Sequence, residues 1–180
     1  MRRVFLALDL PEDIRAQLAV QQFLLPLPRK VDPALFHLTL VFLGETPDSV
    51  LEAVHDALCH LRCTDVQVAL RDLGLFGGAR PRSVHVQVAE DPGLIALQAR
   101  VETACRRAGG DPEHRRFVPH VTLGRFAAPP PEQAMRLERA VAETRFGPLS
   151  FPAREMVMYQ SHLSGKTPWY EPLARYPFST

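Results

Sequence analysis

The stretch Phe36-His37-Leu38-Thr39-Leu40-Val41-Phe42-Leu43-Gly44 has the apolar content of a strand, yet it carries a histidine and a threonine two residues apart. Strand alternation sends His37 and Thr39 to one face and Leu38 and Leu40 to the other. The device returns as Pro119-His120-Val121-Thr122-Leu123-Gly124-Arg125-Phe126, where His120 and Thr122 share a face opposite Val121 and Leu123. Of the seven histidines, only these two have Thr at the second following position. One such pair on a half-buried strand has a local explanation; two, one in each half, require a fold that repeats.

The flanking segments repeat with the histidines. An apolar run from Val4 corresponds to one from Val84, a helix opened by Pro11 to one opened by Pro92, and a helix opened by Pro47 to one opened by Pro131. With His37 and His120, the offsets are 80, 81, 83 and 84 residues, a shift steady enough to indicate internal duplication and too long for a solenoid. The expectation is one two-lobed domain over 1–180, duplicated roughly as 1–80 and 81–180. Its class is α+β, with pseudo-twofold symmetry and two small, mainly antiparallel sheets facing a central cleft, helices outside.

In chain order, Val4 to Leu10 reads as a strand covered on both faces. A helix follows with Glu12 and Asp13 in its first turn and Ile14, Leu18 and Leu25 inward, ending at Pro26 and Pro28. Thr46 is placed to N-cap the second helix, with Leu51, Val54, Leu58 and Leu61 as its buried stripe. Val66 to Leu70 alternates as a strand, and Gly74, Gly77 and Gly78 read as a loop leading to the strand Val84-His85-Val86-Gln87-Val88. Asp91-Pro92 opens a third helix with Leu94, Ile95, Val101 and Cys105 inward and Gly109 as its C-cap. The fourth helix runs through Met135, Leu137 and Val141; an extended stretch then runs from Phe146 through Met156 to Tyr159, and a last strand lies near Tyr170 to Phe178.

Charge narrows the partners. Lys plus Arg number 21 against 20 Asp plus Glu, which excludes a broad grip on polyanions and leaves only local arginine clusters for a nucleic acid. Cys59, Cys63 and Cys105 are odd in number and form no CxxC, so they read as reduced core thiols of a cytoplasmic protein. The apolar run after Met1-Arg2-Arg3 meets Pro11 too soon for a signal or membrane segment, so no membrane is expected.

Two imidazoles on opposite walls of a cleft, each with a pKa near 6.5 in water, can divide general acid and general base work at neutral pH and give a bell-shaped pH profile. Each threonine adds a hydroxyl donor on the same face for a non-bridging phosphate oxygen. Four donors around one centre describe a phosphate site. A metal-dependent hydrolase needs three or more ligands per ion, whereas each motif offers one His and no carboxylate, so no metal is expected.

These residues resemble the 2H phosphoesterases, specifically the bacterial RNA 2′,3′-cyclic phosphodiesterase group, also called 2′-5′ RNA ligases. The likeness takes in Arg3-Val4-Phe5-Leu6-Ala7-Leu8-Asp9-Leu10-Pro11, both His-x-Thr-Leu motifs, Phe117-Val118-Pro119 and the Tyr159-Gln160-Ser161 region. It implies a bilobal fold and hydrolysis of RNA-terminal 2′,3′-cyclic phosphate to a 2′-phosphate without metal or ATP, with possible 2′-5′ ligation by the same chemistry. RNA ends or nucleoside 2′,3′-cyclic phosphates would be the partners, and the protein a monomer. Carried over, His37, Thr39, His120 and Thr122 form the site, with His37 as the acid and His120 as the base. A non-catalytic module that binds nucleotides or RNA ends is the alternative.

Other residues carry two readings. Arg125 suits a phosphate, but strict alternation puts it off the His120/Thr122 face unless a bulge at Gly124 re-aims it. Phe76 suits either a base stack or cover for the core edge. His85 reads as the solvent side of a strand whose other face is Val; His55 and His60 fall on different helix faces; and His114, beside Arg115 and Arg116, reads as a solvated basic turn.

Overall fold

Val4 to Leu8 is 0–3% exposed at every residue, because the strand it forms, β1 (Arg2–Asp9), lies inside a sheet with a strand on either side. The structure, a computed structural model, describes residues 1–145, 147–163 and 167–179. Helix α1 (Glu12–Leu24) follows, with Glu12 and Asp13 in the first turn and Ile14, Leu18 and Gln22 buried. A 3₁₀ turn at Pro33–Leu35 then leads into β2 (His37–Thr46) and α2 (Asp48–Cys59). The remaining order is β3 (Val66–Phe76), β4 (Ser83–Val88), α3 (Pro92–Arg107), β5 (His120–Arg125), α4 (Pro131–Glu143), β6 (Leu149–Ala153), β7 (Glu155–His162) and β8 (Trp169–Pro177).

The strands run β6-β3-β4-β5-β2-β1-β7-β8, and every ladder between them is antiparallel. Two four-stranded halves meet where β5 lies beside β2, at the single pair Leu38↔Val121. The two expected sheets are therefore joined into one, through a narrow seam between the two histidine strands. Two bonds from Gln22, a buried polar residue, brace that seam: its amide nitrogen donates to the Val31 carbonyl at 2.6 Å and to the Leu123 carbonyl at 2.7 Å.

The sheet does not divide at residue 80. Strand β3 lies with β4, β5 and β6, while β7 and β8 return to β1 and β2. The reason is local: β3 and β4 are joined by a short turn using Gly77 at φ +114° and Gly78 at φ +57°, and strands so connected pair as a hairpin. The first 80 residues thus lend β3 to the other half and the later residues lend β7 and β8, with β3 bordering β4 as β7 borders β1.

The two histidine strands are irregular at matching positions. Ala7 pairs Thr39 and Leu6 pairs Val41, which leaves Leu40 as an extra residue. His85 pairs Thr122 and Val84 pairs Gly124, which leaves Leu123 as the extra residue. Both bulges fall on the leucine of His-x-Thr-Leu, and both leucines are buried, at 3% and 0% exposure.

Several local expectations change. Thr46 does not cap α2; its hydroxyl donates to the Leu43 and Gly44 carbonyls, and Pro47 occupies the cap position. Strand β3 continues through Gly74 to Phe76. Ile95 and Met135 face solvent, and Leu97 and Ala134 take the inward positions on their helices. The extended stretch after α4 breaks at Arg154 into β6 and β7, which belong to different halves; Phe146 lies outside the described residues. Asp91 does cap α3, accepting from the Leu94 amide at 3.0 Å.

Candidate active site

His37 opens β2 and His120 opens β5, so each ring sits where its strand leaves a loop. Each ring is fixed by the carbonyl two residues earlier. His37 Nδ1 lies 2.7 Å from the Leu35 oxygen and His120 Nδ1 lies 2.6 Å from the Val118 oxygen. A carbonyl only accepts, so both Nδ1 atoms carry the proton and both Nε2 atoms present a lone pair. On the His37 side the Thr39 hydroxyl, 3.1 Å from Nε2, donates to that lone pair.

The loop that supplies the Leu35 carbonyl is itself held by Arg15. Its Nη1 donates to the carbonyls of Pro33, Ala34 and Phe36 at 2.8, 3.0 and 3.1 Å, and its Nη2 to that of Leu10 at 3.3 Å. A planar fork is well matched to several acceptors at once. The sequence alone gave no signal for this clamp, because its acceptors are all backbone.

The walls differ. His37 packs against Phe5 at 4.9 Å and meets Tyr170 edge-on at 5.3 Å. The Tyr159 hydroxyl donates to Asp9 Oδ1 at 2.6 Å, and both residues line a cavity of about 200 Å³ with Leu35, His37, Tyr170 and Pro172. His120 meets Phe76 edge-on at 4.9 Å and His85 at 5.3 Å.

His85, on the side of its strand where solvent is expected, is only 3% exposed. It does oppose the Val84/Val86 face, but the face it occupies is the cleft side and Phe76 stacks over it at 3.9 Å. Phe76 therefore covers a histidine and keeps its outer side 37% exposed. The ring also lies against Gly74, where an added Cβ would stand 2.6 Å from His85 Nε2 and 2.9 Å from Gln87 Nε2. Gly74→Ala should displace the ring and cost about 1–3 kcal/mol in denaturant unfolding. In Gly74→Ala/His85→Ala the cost should fall well short of additive, because one mutation removes what the other clashes with.

The bulge at Leu123 settles the geometry of Arg125. Ser83 pairs Arg125 and His85 pairs Thr122, so Arg125 shares a face with Thr122, His120 and His85. The extra residue that re-aims it is Leu123, next to Gly124. Its charge reaches the cleft, acting on His37, His120 and the Tyr170 hydroxyl.

Burial depresses all three imidazoles. His37 falls to about 4, burial outweighing the Leu35 carbonyl and the Asp9 carboxylate, with the charge of Arg125 adding to the fall. His85 also falls to about 4, by burial and by the neighbouring His120. His120 is lowered by burial first, opposed by the Val118 carbonyl and assisted by Arg115 and Arg125. The free protein thus holds neutral rings at pH 7.

The remaining histidines lie elsewhere. His55 meets the Tyr176 hydroxyl at 2.9 Å, the His60 ring bonds the Asp56 carbonyl, His114 lies 3.7 Å from Asp111 in an exposed turn, and His162 stacks on Trp169 with its Nε2 2.9 Å from Glu171. Among the described residues, no three His, Cys, Asp or Glu side chains gather where they could hold a metal ion. Nor is any described helix long and apolar enough to cross a membrane.

Comparison with known proteins places this geometry among relatives. The model of the 2′-5′ RNA ligase superfamily matches residues 10–165. A Thermus thermophilus RNA 2′,3′-cyclic phosphodiesterase is 33% identical over 189 residues, covering 97% of this chain and 89% of that protein. A Geobacillus stearothermophilus protein of the same description is 29% identical over 98% of this chain, which spans only 58% of that relative's length. The crystal structure of Escherichia coli LigT complexed with 3′-AMP superposes with a TM-score of 0.80 at 27% identity, covering 99% of each chain.

Proposed function

From its place in the 2′-5′ RNA ligase superfamily, to which the chain belongs, we propose that it hydrolyses RNA-terminal 2′,3′-cyclic phosphate to a 2′-phosphate. The observation that carries this is the doubled device: two imidazoles, each locked as the Nδ1–H tautomer by a carbonyl two residues upstream, on strands that adjoin at Leu38↔Val121.

In-line displacement needs the entering and leaving oxygens on opposite sides of phosphorus, a demand that two walls with one imidazole each can meet. His120 Nε2 takes a proton from water as its oxygen bonds to phosphorus. The bond from phosphorus to O3′ breaks, and His37, protonated at Nε2, gives its proton to that oxygen. The products are a 3′-hydroxyl and a 2′-phosphate. His120 then holds the proton that His37 has lost, and exchange with solvent resets the pair. Thr39 and Thr122 donate to the non-bridging oxygens, and Arg125 offsets the charge that builds there. A 5′-hydroxyl in place of water would give a 2′-5′ linkage through the same displacement.

RNA ends and nucleoside 2′,3′-cyclic phosphates are the substrates of this reading, a monomer its working unit and the cytoplasm its compartment. The three unpaired cysteines support that compartment. The test is incubation with a short oligoribonucleotide ending in 2′,3′-cyclic phosphate, its product resolved by regiochemistry. A 2′-phosphate is expected; intact substrate with folded protein, or a 3′-phosphate product, would overturn the proposal. Saturable binding of a nucleoside 2′-phosphate without turnover would favour the binding-module alternative.

A further inference from the structure

The His37 half of the sheet carries a second guanidinium that the reaction leaves without a task. Arg3 on β1 is half-buried, and its Cζ lies 4.9 Å from the centre of the Phe42 ring. Its ladder partner is Glu45, yet no described carboxylate comes within ion-pair distance of it. It stands on the cleft side, because Phe5 pairs Phe42 and Phe5 touches both His37 and Tyr170, at 4.9 and 5.0 Å. Its charge reaches the Tyr170 hydroxyl, as does that of Arg125. Tyr170 is therefore approached by two cations, one from each half of the sheet.

The repeat explains the arrangement. Phe42 is the second residue after the bulge at Leu40, as Arg125 is the second after the bulge at Leu123. Where one half places a guanidinium directly, the other places an aromatic ring and lays a guanidinium from the next strand over it. A guanidinium stacked on a ring is held in orientation with its in-plane N–H donors free at the edge, ready for a bidentate oxyanion. A terminal cyclic phosphate carries one negative charge, which Arg125 with the two threonines already meets. An RNA end longer than one nucleotide brings a second charge close by.

We propose that Arg3, seated on Phe42, binds the phosphodiester adjoining the terminal cyclic phosphate, so that the site is built for an oligonucleotide end in preference to a single nucleoside 2′,3′-cyclic phosphate. This rests on the hydrolytic function proposed above. Arg3 acts on binding alone, since nothing places it at the reacting phosphorus.

The experiment compares wild type, Arg3→Met and Arg3→Lys on two substrates, a nucleoside 2′,3′-cyclic phosphate and a trinucleotide ending in the same group. Arg3→Met should raise KM for the trinucleotide about tenfold with kcat held, and change the nucleoside substrate by less than about twofold. Arg3→Lys should fall between, because it keeps the charge and loses the planar stack. The salt dependence of KM for the trinucleotide should become shallower by about one phosphate contact in Arg3→Met. Equal losses on both substrates would mean a structural role, and an unchanged trinucleotide KM would mean no contact; either result overturns the inference. Absence of turnover by wild type on both substrates would instead overturn the hydrolytic reading.

Discussion

His37→Ala should lower kcat on an oligonucleotide 2′,3′-cyclic phosphate by about 10²- to 10⁴-fold, and His120→Ala by a similar factor. The two losses should separate when the leaving group changes. An acid matters only where the departing oxygen needs a proton, so a phosphodiester with an acidic aryl leaving group should partly restore His37→Ala and leave His120→Ala inactive. Rescue of His120→Ala instead would reverse the assignment. Losses under about tenfold in both, roughly 1.4 kcal/mol of barrier, would remove both from catalysis. The productive state carries one proton between two rings, so kcat/KM should be bell-shaped, with limbs that belong to the pair. Burial lowers both rings in the free protein, which places the maximum on the acid side of about 6.5, the ordinary histidine value. An activity that rises monotonically through about pH 9 would contradict paired-imidazole catalysis.

Acid should unfold this protein through His37 and His85. Both have folded values near 4, below the 6.5 of an unfolded histidine. Between those values the unfolded chain takes up protons that the folded protein refuses, so stability is full above about 6.5 and declines as pH falls toward 4. Each ring contributes a loss of about 3 kcal/mol across that window, which together is a large part of the 5–15 kcal/mol that holds a typical domain. His85→Phe isolates one share, because a phenyl ring can keep the stack with Phe76 and cannot titrate. Denaturant unfolding at pH 7, 5 and 4 should show the variant losing about 3 kcal/mol less than wild type over that range. Parallel losses in the two proteins would show that His85 is not buried as a neutral ring.

The two histidine strands are legible in the sequence because each sets the same residue types in the same local pattern, His-x-Thr-Leu. Strand alternation is a property of neighbouring residues, so His37 with Thr39 and His120 with Thr122 could be assigned to faces before any partner strand was known. Helix positions followed from the same kind of local rule, with Asp91 capping α3 as its spacing implies. The bulges are not local in this sense. Whether Leu123 is skipped depends on the register β5 adopts against β4, and that register determines which face receives Arg125.

Sequence by itself determined the α+β class and the two strands on which His37 with Thr39 and His120 with Thr122 each share one face. Only the tertiary structure decided the rest, and the reason is that each remaining feature depends on which strand becomes whose neighbour. The hairpin between β3 and β4 carries Phe76 and Gly74 across to His85, turning an apparently solvated histidine into a buried one beside His120. The return of β7 and β8 to β1 brings Tyr159 to Asp9 and Tyr170 to His37, contacts that span more than a hundred residues of sequence. Alternation says only that a residue faces one side of a strand. What lies on that side is set by pairing between distant segments, where burial and register are decided together.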